Sequence, residues 1–229
     1  MKILAVDTAT TTCSVAVIDG ERLLAEINLG DSRTHTRHLA GMVRDVCRLA
    51  GVAVGALDAY AVVKGPGSFT GLRIGVSTVK GLAEGAGRPI VGISALRALA
   101  EQAAASTPLV CPLIDARRSE VYGACYGLDD GVLTQRHSAR VTPLDRVLRG
   151  IDLPCTFIGN GAELYRRQIR DRLEKNAHFA RTAAHAIRAC TVARLARQRL
   201  ADGDSDEIAR FVPDYLRKSD AQIHPGPRK

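Results

Sequence analysis

One run, Gly65-Pro66-Gly67-Ser68-Phe69-Thr70-Gly71-Leu72-Arg73, constrains this chain more than any other stretch, because it combines three glycines, a proline and two hydroxyls. Upstream, Ala59-Tyr60-Ala61-Val62-Val63 is a short apolar, β-prone segment. Downstream, Leu72, Val76, Val79, Leu82 and Ala83 recur at helical spacing as far as Gly85. The run is therefore predicted to be a turn that leaves a strand and opens a helix. Ser68 or Thr70 can cap that helix, and the glycines let the backbone approach a partner closely. Unpaired N–H groups at the helix start favour an anion. The common nucleotide motifs fail letter by letter. A P-loop needs Lys and then Ser or Thr after its last Gly, but Leu72 and Arg73 follow Gly71; the dinucleotide fingerprint needs Gly where Thr70 stands. Two readings stay open for the turn: an anion site, or a tight strand-to-helix connection.

A chain of 229 residues is one large or two small domains. Aromatic residues are only 4% and Trp is absent, so a core must be built from Ala, Val, Leu and Ile, as in strands sandwiched by helices. This composition disfavours an all-β fold. No apolar run approaches the ~18 residues that span a bilayer, and Met1-Lys2 leads straight into a strand without a signal-peptide pattern. The expectation is a soluble, cytoplasmic protein that contacts no membrane. Cys13, Cys47, Cys111, Cys125, Cys155 and Cys190 are scattered without metal-ligand spacing and read as reduced core thiols. His35 and His38 are compatible with one helical face but supply only two ligands. The net charge of +8 lies mostly in the second half: residues 1–105 carry 11 basic and 9 acidic groups, residues 106–229 carry 21 and 15. Arg166, Arg167, Arg170 and Arg172, continued by Arg188, Arg194, Arg197 and Arg199, can touch phosphate or an acidic protein. No aromatic stacking set or nucleic-acid motif accompanies them, and 26 of the 32 basic residues are Arg, which fits codon bias equally well.

An internal repeat organises the rest. Ile3-Leu4-Ala5-Val6-Asp7-Thr8-Ala9 is a strand ending in an acid, followed by a second strand over Cys13–Ile18 closed by Asp19-Gly20. The same order recurs in Leu109–Ala116, ending at Asp115, and Glu120–Tyr126. A boundary is placed near Ser106-Thr107-Pro108, giving a first domain over 1–105, a second over 106–222 and a disordered tail over 223–229. In the first, a helix is predicted over about His35–Ala50, with Leu39, Met42, Val43, Val46, Leu49 and Ala50 on one stripe. Arg88–Ile93 reads as a strand, and Ser94 caps a third helix running to about Ala105. In the second, Thr156-Phe157-Ile158 is a strand before a Gly-rich turn and an Arg-rich helix, and a further helix is predicted over about Ala184–Ala201.

Four motifs carry a resemblance that spans nearly the whole chain. They are Ile3-Leu4-Ala5-Val6-Asp7-Thr8-Ala9-Thr10, the glycine run extended to Ile74-Gly75, Asp115-Ala116-Arg117-Arg118-Ser119-Glu120-Val121-Tyr122, and Val212-Pro213-Asp214-Tyr215-Leu216-Arg217. On these the chain resembles the TsaB (YeaZ) family, which works with TsaD, TsaE and TsaC to make threonylcarbamoyladenosine beside the anticodon of tRNA. The resemblance implies an α/β, duplicated actin-like/Hsp70-like (ASKHA) fold of two ribonuclease H-like domains.

The same resemblance implies where chemistry is absent. TsaD holds a metal through a His-x-x-x-His pair, whereas the matching stretch reads Val91-Gly92-Ile93-Ser94-Ala95-Leu96-Arg97-Ala98-Leu99. No catalytic residue and no metal ligand is assigned, and no cofactor is expected on this subunit alone; ATP and metal belong to the partner subunits. Asp7, Thr8, Gly65, Gly67, Ser68, Thr70 and Gly71 are candidates for a vestigial nucleotide cleft, with Asp7 and Asp115 read as turn-forming acids at strand ends. The implied activity is a noncatalytic scaffold. It binds TsaD as a heterodimer, supports TsaE docking, has a functional link to TsaC, meets tRNA through the complex and pairs with itself when alone. Interface candidates are His35, Leu39, Met42, Val43, Arg73, Gly75, Val76 and Lys80, although the two helical stripes can equally cover the chain's own sheet. An independent nucleotide hydrolase or metallopeptidase of the same fold is the alternative.

Overall fold

The computed structural model describes residues 1–30, 35–103 and 107–217. The tail over 223–229, the proposed boundary at Ser106 and the expected helix end at Ala105 lie outside the described residues.

Apolar residues along β1 (Lys2–Asp7) alternate between two cores. Ile3 and Ala5 face one, Leu4 and Val6 the other, and all four are fully buried. A strand buried on both faces must sit mid-sheet with a layer on each side. β1 pairs antiparallel with β2 (Cys13–Asp19) and parallel with β4 (Ala59–Gly65). The sheet continues to β3 (Arg22–Leu29) on one edge and β5 (Ile90–Ser94) on the other, in the order β3-β2-β1-β4-β5. A second sheet contains β6 (Leu109–Asp115), β7 (Glu120–Asp129), β8 (Val132–Pro143), β9 (Cys155–Ile158) and β10 (Ala177–Phe179). Its order, β8-β7-β6-β9-β10, repeats the first with the same pattern of antiparallel and parallel pairs. The repeated openings seen in the sequence are thus β1–β2 and β6–β7.

The helices fill three layers. α1 (His35–Ala50) and α2 (Phe69–Ala86) cover the outer face of the first sheet, burying Leu39, Met42, Val43, Val46, Val76 and Val79. Leu49, expected on that stripe, is 61% exposed, because it falls off the line drawn by Leu39, Val43 and Val46. α4 (Leu144–Leu148), α5 (Asn160–Leu164) and α6 (Arg166–Leu173) cover the outer face of the second sheet. Between the sheets lie α3 (Ala95–Gln102) and α7 (Ala189–Ala201), whose alanines at 95, 98, 100, 189, 193 and 196 keep that layer thin. α7 packs on β1, β2, β4 and β5, so the C-terminal helix completes the core of the first sheet.

α7 begins at Ala189 rather than near Ala184. The preceding segment is a separate 3-10 turn over Thr182–Ala184, broken from α7 by extended Arg188 and tied down by His185, whose Nδ1 accepts from Gly159 N–H at 3.1 Å and whose Nε2 lies 3.2 Å from the Ala180 carbonyl. The start of α7 is capped from the first sheet: Ala189 N–H donates to Ser14 Oγ (2.8 Å) and Cys190 N–H to Glu26 Oε1 (3.0 Å). All six cysteines are free and buried, and no described helix is long and apolar enough to cross a membrane.

The β1–α2 contact has no room for side chains on its glycines. A Cβ on Gly71 would collide with the Thr8 carbonyl and one on Gly75 with Thr8 Oγ1, whereas a Cβ on Gly81 meets nothing within 4 Å. Gly71→Ala and Gly75→Ala are therefore expected to cost about 2–4 kcal/mol in urea unfolding. Gly81→Ala, on the exposed face of the same helix, is expected to gain up to about 1 kcal/mol. Equal effects at the three positions would refute this packing.

Candidate functional site

The glycine turn folds down onto the end of β1. Ser68 N–H donates to the Ala9 carbonyl at 2.7 Å, and Thr8 Oγ1 donates to the Gly71 carbonyl at 2.7 Å. A Cβ at Gly67 would strike the Ala9 carbonyl. Of the two candidate caps, Ser68 is the one used: its Oγ accepts from Gly71 N–H at 3.3 Å. Thr70 is exposed. The close approach that glycine permits is thus made to the chain's own strand, whose Ala9 carbonyl takes the Ser68 N–H at the start of α2.

Asp7 and Asp115 perform the same local task. Asp7 Oδ1 accepts from Ala9 N–H and Asp115 Oδ1 from Arg117 N–H, each at 2.9 Å and two residues on. Their surroundings differ. Asp7 is fully buried, its Oδ2 has no hydrogen-bond partner, and burial pushes its pKa up to about 7 against the smaller downward pull of the Ala9 N–H. Asp7 has no exposed surface. After Asp115 the turn passes through Arg117, Arg118 and Ser119, all with φ between 54° and 60°, a left-handed stretch that costs non-glycine residues roughly 1–2 kcal/mol each.

The fourth sequence motif returns to this place as a strap. Asp206 N–H bonds the Ile90 carbonyl (2.9 Å) at the edge of β5, and Asp214 N–H bonds the Lys64 carbonyl (2.6 Å) at the end of β4. Gly65, with φ 145°, has no room for a Cβ beside the Asp214 carbonyl. Lys80 donates to the carbonyls of Ala209 (3.3 Å) and Phe211 (3.4 Å), and the Phe211 ring lies where a Cβ on Gly92 would fall. Tyr215 stacks on Phe69 with centroids 4.6 Å apart; Arg73 lies 4.1 Å over the other ring and donates to the Tyr215 hydroxyl at 3.2 Å. Arg217 ends the strap on the Ala116 carbonyl (2.8 Å) and the Glu120 carboxylate. Sequence reading quoted these motifs separately and missed that they meet; the Tyr and Arg of the last one were the available signal.

Over residues 24–224 the chain matches the family model described as "TsaD: tRNA N6-adenosine threonylcarbamoyltransferase". It is 30% identical over 225 residues to the tRNA threonylcarbamoyladenosine biosynthesis protein TsaB of Bacillus subtilis, covering 97% of this chain and 96% of that one. The chain belongs to the TsaB (YeaZ) family. A shorter match to TsaB of Escherichia coli is 42% identical over 132 residues, 57% of each chain. Among solved structures, YeaZ from Pseudomonas aeruginosa superimposes with a TM-score of 0.80 at 35% identity, covering 94% of this chain and 99% of that one. The fold is accordingly the actin/Hsp70-like (ASKHA) fold.

Within this TsaB fold the interface candidates separate. Leu39, Met42, Val43 and Val76 are buried against the chain's own sheet, Gly75 is pressed on Thr8, and Lys80 is turned to the strap. These apolar positions lie in the chain's own core, and Met42 also lines an open cleft with Ile27, Leu29, Arg37 and Gly41. Arg73 is exposed; the His35 side chain lies outside the described residues. Among the described residues no three His, Cys, Asp or Glu side chains group as metal ligands.

The Asp7 carboxyl gives a pH test. Its pKa is raised above the unfolded value, so the folded state holds the proton more tightly and stability falls as pH rises from about 4 to about 7, then levels. Asp7→Asn keeps the acceptor for Ala9 N–H but cannot ionise. The variant is expected to melt above the parent at pH 8, by on the order of a few kcal/mol, with the gap closing toward pH 4. A gap independent of pH would refute the buried, protonatable carboxyl.

Proposed function

We propose that this chain is the noncatalytic scaffold of a tRNA threonylcarbamoyladenosine complex: it pairs with TsaD, supports TsaE docking and lets the modification of tRNA proceed. The observation that carries the reading is the closed glycine turn, where the chain's own Thr8 and Ala9 pack against the first turn of α2, in a chain that aligns with TsaB of Bacillus subtilis over 97% of its length. ATP and metal then belong to the partner subunits, TsaC supplies the preceding step, and the chain pairs with itself when TsaD is missing. The setting is cytoplasmic. The repeated strand order supports the finer fold reading of two ribonuclease H-like domains, 1–105 and 106–222, with α7 passed back across the first sheet.

For the docking face, the geometry supports the outward side of α1 and α2 rather than their apolar stripes. Gly41 on α1 and Gly81 and Gly85 on α2 have open space around the position of a Cβ, and exposed Ser77 stands one turn before Gly81 on the same row of α2, so a partner helix can approach this ridge closely. Exposed Arg37 and Arg44 flank it. No observation favours the independent hydrolase.

Gly81→Arg tests the face directly, since a Cβ at that exposed position meets nothing within 4 Å and Arg is a better helix former than Gly. The variant should melt at or slightly above the parent temperature. In light scattering after size exclusion it should lose the heterodimer with TsaD at least tenfold in affinity, and the fractions should lose tRNA modification. A Gly81→Arg chain that pairs normally would move the interface elsewhere; a parent chain that ignores TsaD would sink the scaffold reading.

A further inference from the structure

The Arg-rich helix α6 is arranged around a single ring. Phe179, on the edge strand β10, is packed from the core side by Phe157 with centroids 5.9 Å apart. Its remaining surroundings hold two guanidinium groups: Arg166 lies 4.2 Å from the ring centroid and Arg170 5.5 Å. Arg170 is exposed and Arg166 half-buried. Among the described residues neither makes an ion pair, whereas their neighbour Arg167 pairs with Asp171 at 3.8 Å. Two cations held over one ring, neither paired with a carboxylate among the described residues, repel each other; an anion that bridges them relieves the repulsion.

We propose that Arg166 and Arg170, stacked on Phe179, form a contact for the phosphate backbone of RNA. Planar guanidiniums restrained by an aromatic ring present their N–H forks with little ordering cost, the geometry that suits phosphate oxygens. The site lies on an exposed helix and sheet edge, and no enclosing wall is built for a small nucleotide, so its ligand is a polyanion gripped at many points. Arg181, exposed two residues beyond Phe179, extends the positive strip. A nearby cleft of about 380 Å³, lined by Arg149, Arg172 and Lys175, also contains Asp152 and Glu174 and is not part of the strip. The proposal deepens the scaffold reading and rests on it for the identity of the RNA: a tRNA carried by the complex then lies across the second sheet's helices.

The test uses the assembled complex with TsaD and an unmodified tRNA transcript. Tight binding is measured across a series of KCl concentrations for the parent and for Arg166→Gln/Arg170→Gln, with heterodimer formation followed by light scattering. Expected are an intact heterodimer, tRNA affinity at low salt reduced about tenfold, and a slope of log K against log[salt] shallower by about 1.5, since each lost phosphate contact removes roughly 0.7–0.9. Arg166→Lys/Arg170→Lys should restore most of the slope while recovering affinity only in part. Unchanged affinity and slope would overturn the proposal with the scaffold reading intact. Loss of the heterodimer with unchanged tRNA binding by what remains assembled would also overturn it, assigning the strip to a protein contact. Failure of the parent chain to pair with TsaD would instead be a failure of the scaffold reading.

Discussion

The contact between the end of β1 and the first turn of α2 is the constraint on which the rest of the structure depends. Thr8 is wholly buried there, and a buried hydroxyl must find a partner; it finds the Gly71 carbonyl. That bond requires α2 to lie so near the strand that Gly67, Gly71 and Gly75 carry no side chain. The same closeness seals Asp7 from water and lifts its pKa. It also fixes the azimuth of α2, which brings Arg73 and Lys80 to the side where the C-terminal strap passes. A glycine turn that in other α/β proteins receives an anion is therefore, in this chain, a device for orienting a helix.

Local chemistry was legible in the sequence, and the partners of that chemistry were not. The acids at positions 7 and 115 announced turns because a short carboxylate ending a strand can accept from the backbone two residues on, and both do. Ser68 and Ser94 announced helix starts for the equivalent reason. Periodicity found α1 and α2 but could not say that their stripes cover the chain's own sheet, since an apolar stripe looks the same whether it meets a sheet or another protein. The strap was invisible to periodicity. Residues 204–217 take almost no regular structure, and their positions come from contacts more than a hundred residues distant, such as Arg73 with Tyr215 and Arg217 with Ala116. The start of α7 was misjudged for a related reason, because His185 is held by Gly159 and Ala180 and not by its own helix.

Two buried acids show how partners decide the sign of a titration. Burial acts on both in the same direction. For Asp7 it prevails, because a single N–H opposes it. For Glu26 burial is again the largest single influence, yet the hydrogen bonds from Arg188 and from the N–H of Cys190 together hold its pKa below the usual carboxylate range. The stabilisation from Glu26 is present above the ordinary carboxylate pKa and lost as pH falls through the lowered one, while that from protonated Asp7 is lost as pH rises toward 7. Glu26 sits where α7 meets the first sheet, so acid loosens the joint between the C-terminal helix and the N-terminal strands, whereas the buried carboxyl beside the glycine turn loses its contribution only as pH rises.

The arginine excess takes on meaning once the engaged residues are set aside. Arg188 pairs with Glu26, Arg197 with Glu21, Arg199 with Asp204 and Asp206, and Arg217 with Glu120. Arg188, Arg197 and Arg217 anchor the last helix or the strap to earlier parts of the chain, and Arg199 ties α7 to the start of the strap, so three of the eight arginines that looked like a polyanion-binding cluster are internal fastening. A surface pair in water contributes little by itself, but those of Arg188, Arg197 and Arg217 join segments far apart in sequence and act with the burial of Phe211 and the capping of α7. Subtracting them leaves Arg194 and the α6 arginines, of which Arg166 and Arg170 are held by an aromatic ring instead of a carboxylate. Composition could count these charges but not separate the two groups, because what distinguishes them is the side chain each one faces.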